Sequence, residues 1–403
     1  MKALNLYDIG DLRYEEAPMP EPEADEVLLK VLAAGICGSD VPRVFSTGTY
    51  YFPTIPGHEF SGEIVKAGAD VSRSLVGKRA AVFPLLPCFA CDACKGENYA
   101  SCQNYDYYGS RRDGAFAEYI AVKAWNLVLI PENVPTVWAA MTEPCAVAVH
   151  AVGEADVRKN DTVCVFGAGA IGLIIAQLAR GLDARVIVLD IDDEKLEFAG
   201  SLGFSNTLNI EKDGEYLDTI ESITGGRGAD ICIDAAGAPG SIAGCLKAAG
   251  TFATVVLLGN PSGDILIGQE DYWLILRKQL TLIGTWNSDF GKRKNDWKTA
   301  LLHMESGSID LSKLITHAFS LRDSDAAFEL ARDRNEFFVK ILFLPHERDE
   351  LDEFDKPAGP SGRYDPEDAG DPGDFGDPEE DPDGPEESDV WDVWDVWDES
   401  SGT

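Results

Sequence analysis

Short apolar runs separated by glycine and proline dominate the first part of the chain. Runs such as EVLLKVLAAG and KRAAVFP recur over residues 1–150, with turn residues between them and little sign of a long amphipathic helix. Closely spaced short runs bounded by turn residues are typical of β-strands. The pattern therefore predicts a β-rich domain over residues 1–150.

The pattern changes at Asp161, where strand-like and helix-like segments begin to alternate. TVCVF predicts a short buried strand, LIIAQLARGL a helix and ARVIVLD a second strand, and the alternation continues to about Ile283. Such alternation is typical of a doubly wound parallel sheet. The predicted fold class is α/β, with a parallel-sheet domain over residues 151–285 and a shorter segment, residues 286–346, that returns to complete the first domain.

The composition changes again at Glu347. Residues 347–403 are dominated by Asp, Glu, Pro and Gly, and they contain VWDVWDVWD, whose period of three fits neither helix nor strand. Such a segment cannot bury enough apolar area to offset its chain entropy, so we predict a disordered acidic tail. One interpretation is a solvated extension that aids solubility, and the other is a repeat that binds a partner.

Charge and hydropathy narrow the class of protein. The formal net charge is −36, and the residues before the tail are themselves acidic, which disfavours binding to nucleic acid or to anionic lipid. The sequence contains no apolar run of about 18 residues, so no membrane span is predicted. The first residues, MKALNLYDIG, lack the apolar core of a secretion signal. We expect a cytoplasmic protein that acts on a small molecule.

Four of the nine cysteines lie close together in the chain, at Cys88, Cys91, Cys94 and Cys102. Four thiolates with this spacing can surround one tetrahedral Zn²⁺ at ~2.3 Å, which leaves no position for water or substrate. The cluster therefore predicts a structural zinc site in a reducing compartment. An iron–sulfur cluster and a set of unrelated buried thiols are the alternatives.

A second group of metal-binding residue types is spread over distant segments. Cys37 lies in GICGSD, His58 in PGHEFSG and Glu143 in MTEPCAVAVH. A catalytic zinc needs three protein ligands and one exchangeable position, and these three residue types suit it. Glu59 is a further candidate ligand, and Asp40 is a candidate to orient the His58 ring. Ordinary core packing is the alternative interpretation of each residue taken alone.

The segment GAGAIG has the context of a dinucleotide fingerprint. It follows a predicted strand and opens a predicted helix, and an aspartate closes the next predicted strand. The helix N-terminus would receive the pyrophosphate, and the aspartate would bind the adenine ribose and repel a 2′-phosphate, which favours NAD. A nucleotide-free turn of the same shape is the alternative. The predicted cofactor-binding residues are Gly167, Gly169, Ile171, Gly172, Asp190 and Lys195.

The motifs GICGSD, PGHEFSG, the four-cysteine cluster, TEP…H and GAGAIG occur in this order, and with them residues 1–346 resemble the zinc-containing medium-chain dehydrogenases. The resemblance implies a GroES-like catalytic domain and a Rossmann domain, and a homodimer or homotetramer. It also implies a catalytic zinc on Cys37, His58 and Glu143, and a structural zinc on the four clustered cysteines. The phrases CGSDVPRVF and YDYYGSRRDGAFAEY resemble the polyol phosphate dehydrogenases more than the sorbitol or threonine dehydrogenases.

The resemblance implies oxidation of a secondary alcohol, in which zinc lowers the pKa of the hydroxyl and NAD⁺ accepts the hydride. Ser39 is the candidate that passes the proton outward. Related alcohol dehydrogenases often end this relay in a histidine at the position that Pro42 occupies here. A zinc-free reductase and a non-catalytic NAD-binding protein are the competing classes.

Arg111 and Arg112 in GSRRDG are candidates to bind a substrate phosphate, because a guanidinium can contact two phosphate oxygens at once. The alternative is a pair of surface arginines that form salt bridges with Asp113 or another nearby acid.

Overall fold

The computed structural model describes residues 1–212 and 216–346, so the predicted acidic tail at 347–403 lies outside the described residues. The strands are β1 (Lys2–Asp8), β2 (Asp11–Glu16), β3 (Glu26–Gly35), β4 (Glu59–Ala67), β5 (Arg79–Val82), β6 (Leu85–Leu86), β7 (Asp106–Tyr107), β8 (Tyr119–Lys123), β9 (Leu127–Leu129), β10 (Thr162–Phe166), β11 (Arg185–Asp190), β12 (Thr207–Asn209), β13 (Ala229–Asp234), β14 (Ala249–Leu257), β15 (Thr281–Gly284), β16 (Ile315–Phe319) and β17 (Lys340–Phe343). The helices are α1 (Asp40–Pro42), α2 (Asp92–Lys95), α3 (Thr136–Ala139), α4 (Thr142–Glu154), α5 (Ala170–Gly181), α6 (Asp193–Ser201), α7 (Tyr216–Thr224), α8 (Ser241–Ala248), α9 (Gln269–Lys278), α10 (Asp296–Glu305) and α11 (Ser324–Asp333).

The described residues divide into two compact units. The first unit contains the described residues within 1–88, 104–142 and 311–346, and the second contains those within 89–103 and 143–310. Within the described ranges, no helix combines the length and the apolar character that crossing a membrane requires.

The first unit is built on a mostly antiparallel sheet with the strand order β16-β17-β3-β4-β5-β9, and β8 also pairs with β3. Strand β3, EVLLKVLAAG, is buried along nearly its whole length, because its apolar side chains pack on both faces of the sheet. A group of rings packs against it, and Phe116 lies 5.0 Å from Phe343 between ring centroids. The β-rich domain that the apolar pattern predicts is therefore present.

The second unit is a six-stranded parallel sheet with the order β12-β11-β10-β13-β14-β15. Strand β10, TVCVF, is buried at every residue, as expected of a strand covered on both faces. Helices α5, α6 and α8 each contact the strand that precedes them in the chain and the strand that follows. The predicted doubly wound α/β sheet is confirmed.

The chain returns to the first unit at Leu311, whereas the hydrophobic pattern places the return at residue 286. The difference arises because α10 is anchored within the second unit. Asp296 Oδ2 lies 2.9 Å from His150 Nδ1 on α4, and the following Trp297 is fully buried. These contacts join residues far apart in sequence, so the local pattern of residues 286–310 does not reveal them.

Candidate active site and metal centres

Strand pairing in the first unit brings Cys37 and His58 together. β3 ends two residues before Cys37, β4 begins one residue after His58, and Gly35 is paired with Glu59 in the antiparallel ladder. As a result, Cys37 Sγ, a ring nitrogen of His58 and a carboxylate oxygen of Glu59 lie within 4.8 Å of one another. A thiolate, an imidazole and a carboxylate at this separation fit a zinc ion.

The glycine before His58 has a conformation that other residues rarely adopt. Gly57 has φ +96°, and a Cβ at this position would lie 2.5 Å from the Phe116 ring. Only glycine can therefore make this turn while the aromatic core stays packed beneath it. The turn directs the chain into β4 and fixes the place of His58.

The carboxylate of Asp40 is fully buried behind the His58 ring. Asp40 Oδ1 lies 3.4 Å from His58 Nδ1, and Asp40 Oδ2 accepts a hydrogen bond of 2.9 Å from the Cys37 backbone N–H. A carboxylate that accepts a hydrogen bond from Nδ1–H leaves Nε2 without a proton, so Nε2 is the nitrogen that can bind a metal. Asp40 therefore has the orienting position that the sequence predicts for it.

Electrostatic contacts keep Asp40 ionised. Burial alone would raise its pKa, but His58 and Arg43 outweigh that effect and hold the Asp40 pKa at about 2. The His58 pKa is raised well above its ordinary value, since the attraction of Asp40 outweighs the opposing effect of burial. A metal ion would compete with a proton for this imidazole.

Arg43 also belongs to this neighbourhood. Its Nη1 donates hydrogen bonds of 2.9 Å to Ser39 Oγ and to Asp40 Oδ1, and it lies 3.5 Å from His58 Nδ1. Tyr107 is a further neighbour, with its ring centroid 5.7 Å from that of His58. The predicted relay residue Ser39, two residues after Cys37, is therefore in contact with a guanidinium.

Glu59 forms a buried ion pair with Lys340 of β17. Both side chains are almost inaccessible to solvent, and Glu59 Oε2 has no hydrogen-bond partner apart from this ion pair. Lys340 Nζ also donates a hydrogen bond of 3.0 Å to the carbonyl of Ile36, beside Cys37. Lys340 therefore connects the segments that carry two members of the donor group.

The predicted ligand Glu143 is not a member of this donor group. It lies in the first turn of α4, in the second unit. The carboxylate that the structure places with Cys37 and His58 is that of Glu59, the further candidate from the sequence. The assignment of Glu143 as a zinc ligand stays a prediction.

The four clustered cysteines converge on one point. The Sγ atoms of Cys88, Cys91, Cys94 and Cys102 lie within 4.8 Å of one another, and Cys91 Sγ is 3.5 Å from Cys94 Sγ. All nine cysteines fall in the described ranges, and none of them is in a disulfide bond. Four convergent thiols outside disulfide bonds fit a closed tetrahedral metal site, in which the metal would hold the loop together.

The dinucleotide fingerprint forms a tight turn between β10 and α5. Gly167 has φ +107°, and a Cβ on Gly172 would overlap the carbonyl oxygen of Gly167. Gly169 caps α5 and has open space where a side chain would project, and Ile171 lies in the first helical turn. The exposed helix N-terminus can therefore receive an anionic group such as a pyrophosphate.

Asp190 ends β11 and faces this turn. Its Oδ2 accepts a hydrogen bond of 2.7 Å from Ala168 N–H, and its Oδ1 accepts from Ile191 and Asp192 N–H at 2.8 and 3.1 Å. A carboxylate has about four acceptor positions, so these bonds leave about one for a ribose hydroxyl. Lys195 Nζ lies 3.9 Å from Asp190 Oδ2 and offers a donor beside it.

The two adjacent arginines differ in their surroundings. Arg112 Nε pairs with Asp106 Oδ2 at 2.8 Å. Arg111 is held between the rings of Tyr50 and Tyr105, 4.2 Å from each centroid, and no carboxylate among the described residues pairs with it. The guanidinium with an uncompensated charge is therefore that of Arg111.

Two stretches of the chain match the sequence models of known protein families. Residues 23–132 match the alcohol dehydrogenase GroES-like domain, and residues 170–306 match the zinc-binding dehydrogenase family. The chain belongs to the zinc-binding alcohol dehydrogenase family and is an oxidoreductase, as the sequence motifs predict. Its first unit is the GroES-like domain and its second unit the Rossmann-like domain.

Among its relatives is galactitol 1-phosphate 5-dehydrogenase of Escherichia coli, which is 37% identical over 341 residues, covering 83% of this chain and 97% of the relative. Sorbitol dehydrogenase of Bacillus subtilis is 30% identical over 352 residues, covering 86% and 98%. The crystal structure of galactitol-1-phosphate dehydrogenase from Escherichia coli matches with a TM-score of 0.80 and 36% identity, covering 86% of this chain and 100% of that one.

Two site residues, Arg43 and Lys340, are not evident from the motifs. Lys340 carries a weak signal, since it is a charged residue at the start of the otherwise apolar run KILFLP. Arg43 carries none, because no spacing rule relates it to His58. Both residues enter the site through contacts that only the folded chain makes.

Proposed function

We propose that this protein is a zinc-dependent, NAD-linked dehydrogenase that oxidises a secondary alcohol of a polyol phosphate, with galactitol 1-phosphate to tagatose 6-phosphate as the favoured reaction. The observation that carries the proposal is the convergence of Cys37, His58 and Glu59 beside the buried Asp40. The family and the relative that acts on galactitol 1-phosphate support it.

In this proposal the chain holds and orients its metal with its own residues. Cys37 and His58 bind zinc, and a carboxylate from Glu59 or Glu143 completes the set. Zinc, when bound, supplies Lewis acidity toward the substrate hydroxyl. Asp40 keeps His58 in the tautomer that leaves Nε2 unprotonated, and the four clustered cysteines hold a second, structural zinc.

Asp190 supports NAD as the nucleotide. Its carboxylate would repel the 2′-phosphate of NADP, although Lys195 at 3.9 Å weakens this effect. We expect the ratio of kcat/KM for NAD⁺ over NADP⁺ to exceed one and to fall about tenfold or more in Asp190→Ala. An unchanged ratio would remove Asp190 from nucleotide selection.

The substrate phosphate is assigned to Arg111 because its charge is not compensated by a carboxylate. Stacking between Tyr50 and Tyr105 fixes the guanidinium plane, so little side-chain entropy is lost when an anion binds. Arg112 is a matched control in the same loop, since Asp106 already neutralises it.

Arg111→Ala should therefore raise KM for a hexitol phosphate about ten- to hundredfold more than it raises KM for the free hexitol. This factor corresponds to the loss of one hydrogen bond to a charged group. Arg112→Ala should change the two KM values by similar, smaller factors. Equal losses for phosphorylated and free substrate in Arg111→Ala would refute this assignment.

The alternative function is oxidation of an unphosphorylated polyol, as the 30% identity to a sorbitol dehydrogenase allows. The deciding experiment measures NAD⁺ reduction by zinc-replete protein with paired free and phosphorylated hexitols. Activity on free hexitols alone would support this alternative. Absence of activity on the whole panel would refute both substrate assignments.

The role of the donor group is tested by Cys37→Ser. We expect this variant to lose turnover while it keeps its fold and its structural zinc, because the two donor groups share no residue. Full turnover without metal at the Cys37 site would contradict the zinc proposal. Nine cysteines outside disulfide bonds also support a reducing compartment, and we propose the cytoplasm.

We further propose that the protein is a homodimer that pairs through β15. This strand ends the parallel sheet in the described part of the chain, and it carries no charge or proline to protect its edge. Helix α9 buries none of its residues, and Glu270 at its start and Arg277 at its end would complement each other if two copies ran antiparallel. Nearby, Leu282 and Trp286 are exposed.

Leu282→Lys should shift the mass of the protein in solution toward the monomer, as measured by light scattering after size-exclusion chromatography. Leu302→Lys, at another exposed leucine of the second unit, should not change the mass. A wild-type monomer, or a dimer unaffected by Leu282→Lys, would refute this interface.

A further inference from the structure

Arg43 makes one contact, to Ser39, that the proposed metal site does not explain. Its Nη1 donates to Ser39 Oγ and to Asp40 Oδ1, each at 2.9 Å. About a fifth of its side chain is exposed, at 22%, so most of it is fixed within the first unit. Pro42 occupies the place where the resemblance leads one to expect a histidine, and Arg43 follows it directly.

We propose that Arg43 is a positioning residue that orients the Ser39 hydroxyl to receive the proton of the substrate alcohol. The inference rests on the proposed dehydrogenase function, because it concerns the proton that leaves the alcohol during oxidation.

The direction of hydrogen bonding at Ser39 carries the argument. A guanidinium has only donors, so Arg43 must occupy a lone pair of Ser39 Oγ and cannot accept the serine proton. The Ser39 O–H is therefore turned away from Arg43. Arg43 uses one lone pair of Oγ, so the other can accept a hydrogen bond from a substrate hydroxyl, as a proton relay requires.

The proton step balances without any further reagent. The substrate O–H bond breaks and its proton forms a new bond to Ser39 Oγ, while the original serine proton passes to water. The hydride of the same alcohol goes to NAD⁺, which is reduced as the carbinol carbon becomes a ketone. Arg43 accepts no proton, so the proton relay ends in solvent and not on Arg43.

Arg43 also supports Asp40, and this second contact defines the competing explanation. If Arg43 acted only through Asp40 and His58, its removal would weaken zinc binding and would not depend on Ser39. Asp40 also accepts the Cys37 N–H on Oδ2 and lies beside His58 through Oδ1, and neither contact involves Arg43. The two explanations therefore differ in metal content and in coupling to Ser39.

The test is a double-mutant cycle of Ser39→Ala and Arg43→Met in zinc-replete protein. We expect kcat to fall about a hundredfold in Ser39→Ala, in the range of proton-transfer catalysis, and about tenfold in Arg43→Met. The double variant should lose no more than Ser39→Ala alone, since Arg43 acts through Ser39. Arg43→Lys, which keeps a donor and a charge, should recover part of kcat, and KM should change little.

Metal analysis and the thermal midpoint of each variant are measured alongside. Arg13→Met is the control for loss of an arginine, because Arg13 pairs with Asp11 at an exposed site. Zinc content should stay at the wild-type value in Arg43→Met. Multiplicative losses in the double variant, or loss of zinc in Arg43→Met, would overturn the inference while leaving the dehydrogenase function intact. Absence of alcohol oxidation in the wild type would overturn both.

Discussion

Removing Lys340 should strongly destabilise the first unit, because it leaves the Glu59 carboxylate buried and unpaired. The two side chains are 5% and 2% exposed, and Glu59 Oε2 has no hydrogen-bond partner besides this ion pair. Breaking a buried pair by removing one member costs about 3–5 kcal/mol. In Lys340→Met the hydrogen bond to the Ile36 carbonyl is lost as well.

The assay is urea unfolding of chelator-treated protein, so that a metal ion on Glu59 does not compensate for the missing lysine. The free energy of unfolding of Lys340→Met should fall by about 3–5 kcal/mol, equivalent to roughly 6–20 °C in Tm. Lys66→Met is the control on β4, the strand that carries Glu59. Its ion pair with Glu21 is exposed, so its loss should cost under about 1 kcal/mol.

The double variant Glu59→Gln/Lys340→Met separates charge from packing. It should recover most of the loss, because no unpaired charge is then left in the interior. A loss below about 1 kcal/mol in Lys340→Met, or a double variant whose loss equals the sum of the two single losses, would refute the reasoning.

Two further predictions concern the second unit and the cysteine cluster. Burial would lower the pKa of His150, but Asp289 and Asp296 outweigh it and raise this pKa to about 9. The protonated His150 therefore stabilises the fold fully below about pH 6.5, and this stabilisation is lost as the pH rises through about 9. His150→Gln should remove about 1–2 kcal/mol of this pH-dependent stability, allowing for solvent screening, and parallel pH profiles for variant and wild type would contradict it. Cys102→Ser should lower the zinc content by about one ion per chain and lower Tm while zinc stays at the Cys37 site, and metal analysis showing no change would exclude a metal on the four thiols.

Several features were predictable because they depend on short stretches of sequence. The turn GAGAIG needs glycine at position 167 for its positive φ and at position 172 for the close approach to the Gly167 carbonyl. The amino-acid sequence alone therefore indicates the fingerprint. The spacing of the four cysteines likewise limits them to one small loop. The alternation of strands and helices predicted the parallel sheet, since local hydrophobic periodicity reflects burial on that sheet.

Other features depend on contacts between distant segments. The second unit extends to Asp310, and the contact of Asp296 on α10 with His150 on α4 holds that stretch in place, which no local pattern encodes. Arg111 and Arg112 look equivalent in sequence, and only the fold pairs Arg112 with Asp106 and stacks Arg111 between tyrosines.

The sequence by itself determined which residue types can bind a metal and a dinucleotide, because those types and their spacing are fixed by chemistry. The tertiary structure decided which groups face one another: Glu59 joins Cys37 and His58, Lys340 neutralises Glu59, and Arg43 contacts Ser39. The physical reason is that the charge and the hydrogen-bond direction of a side chain depend on neighbours that antiparallel pairing and packing bring together from remote parts of the chain.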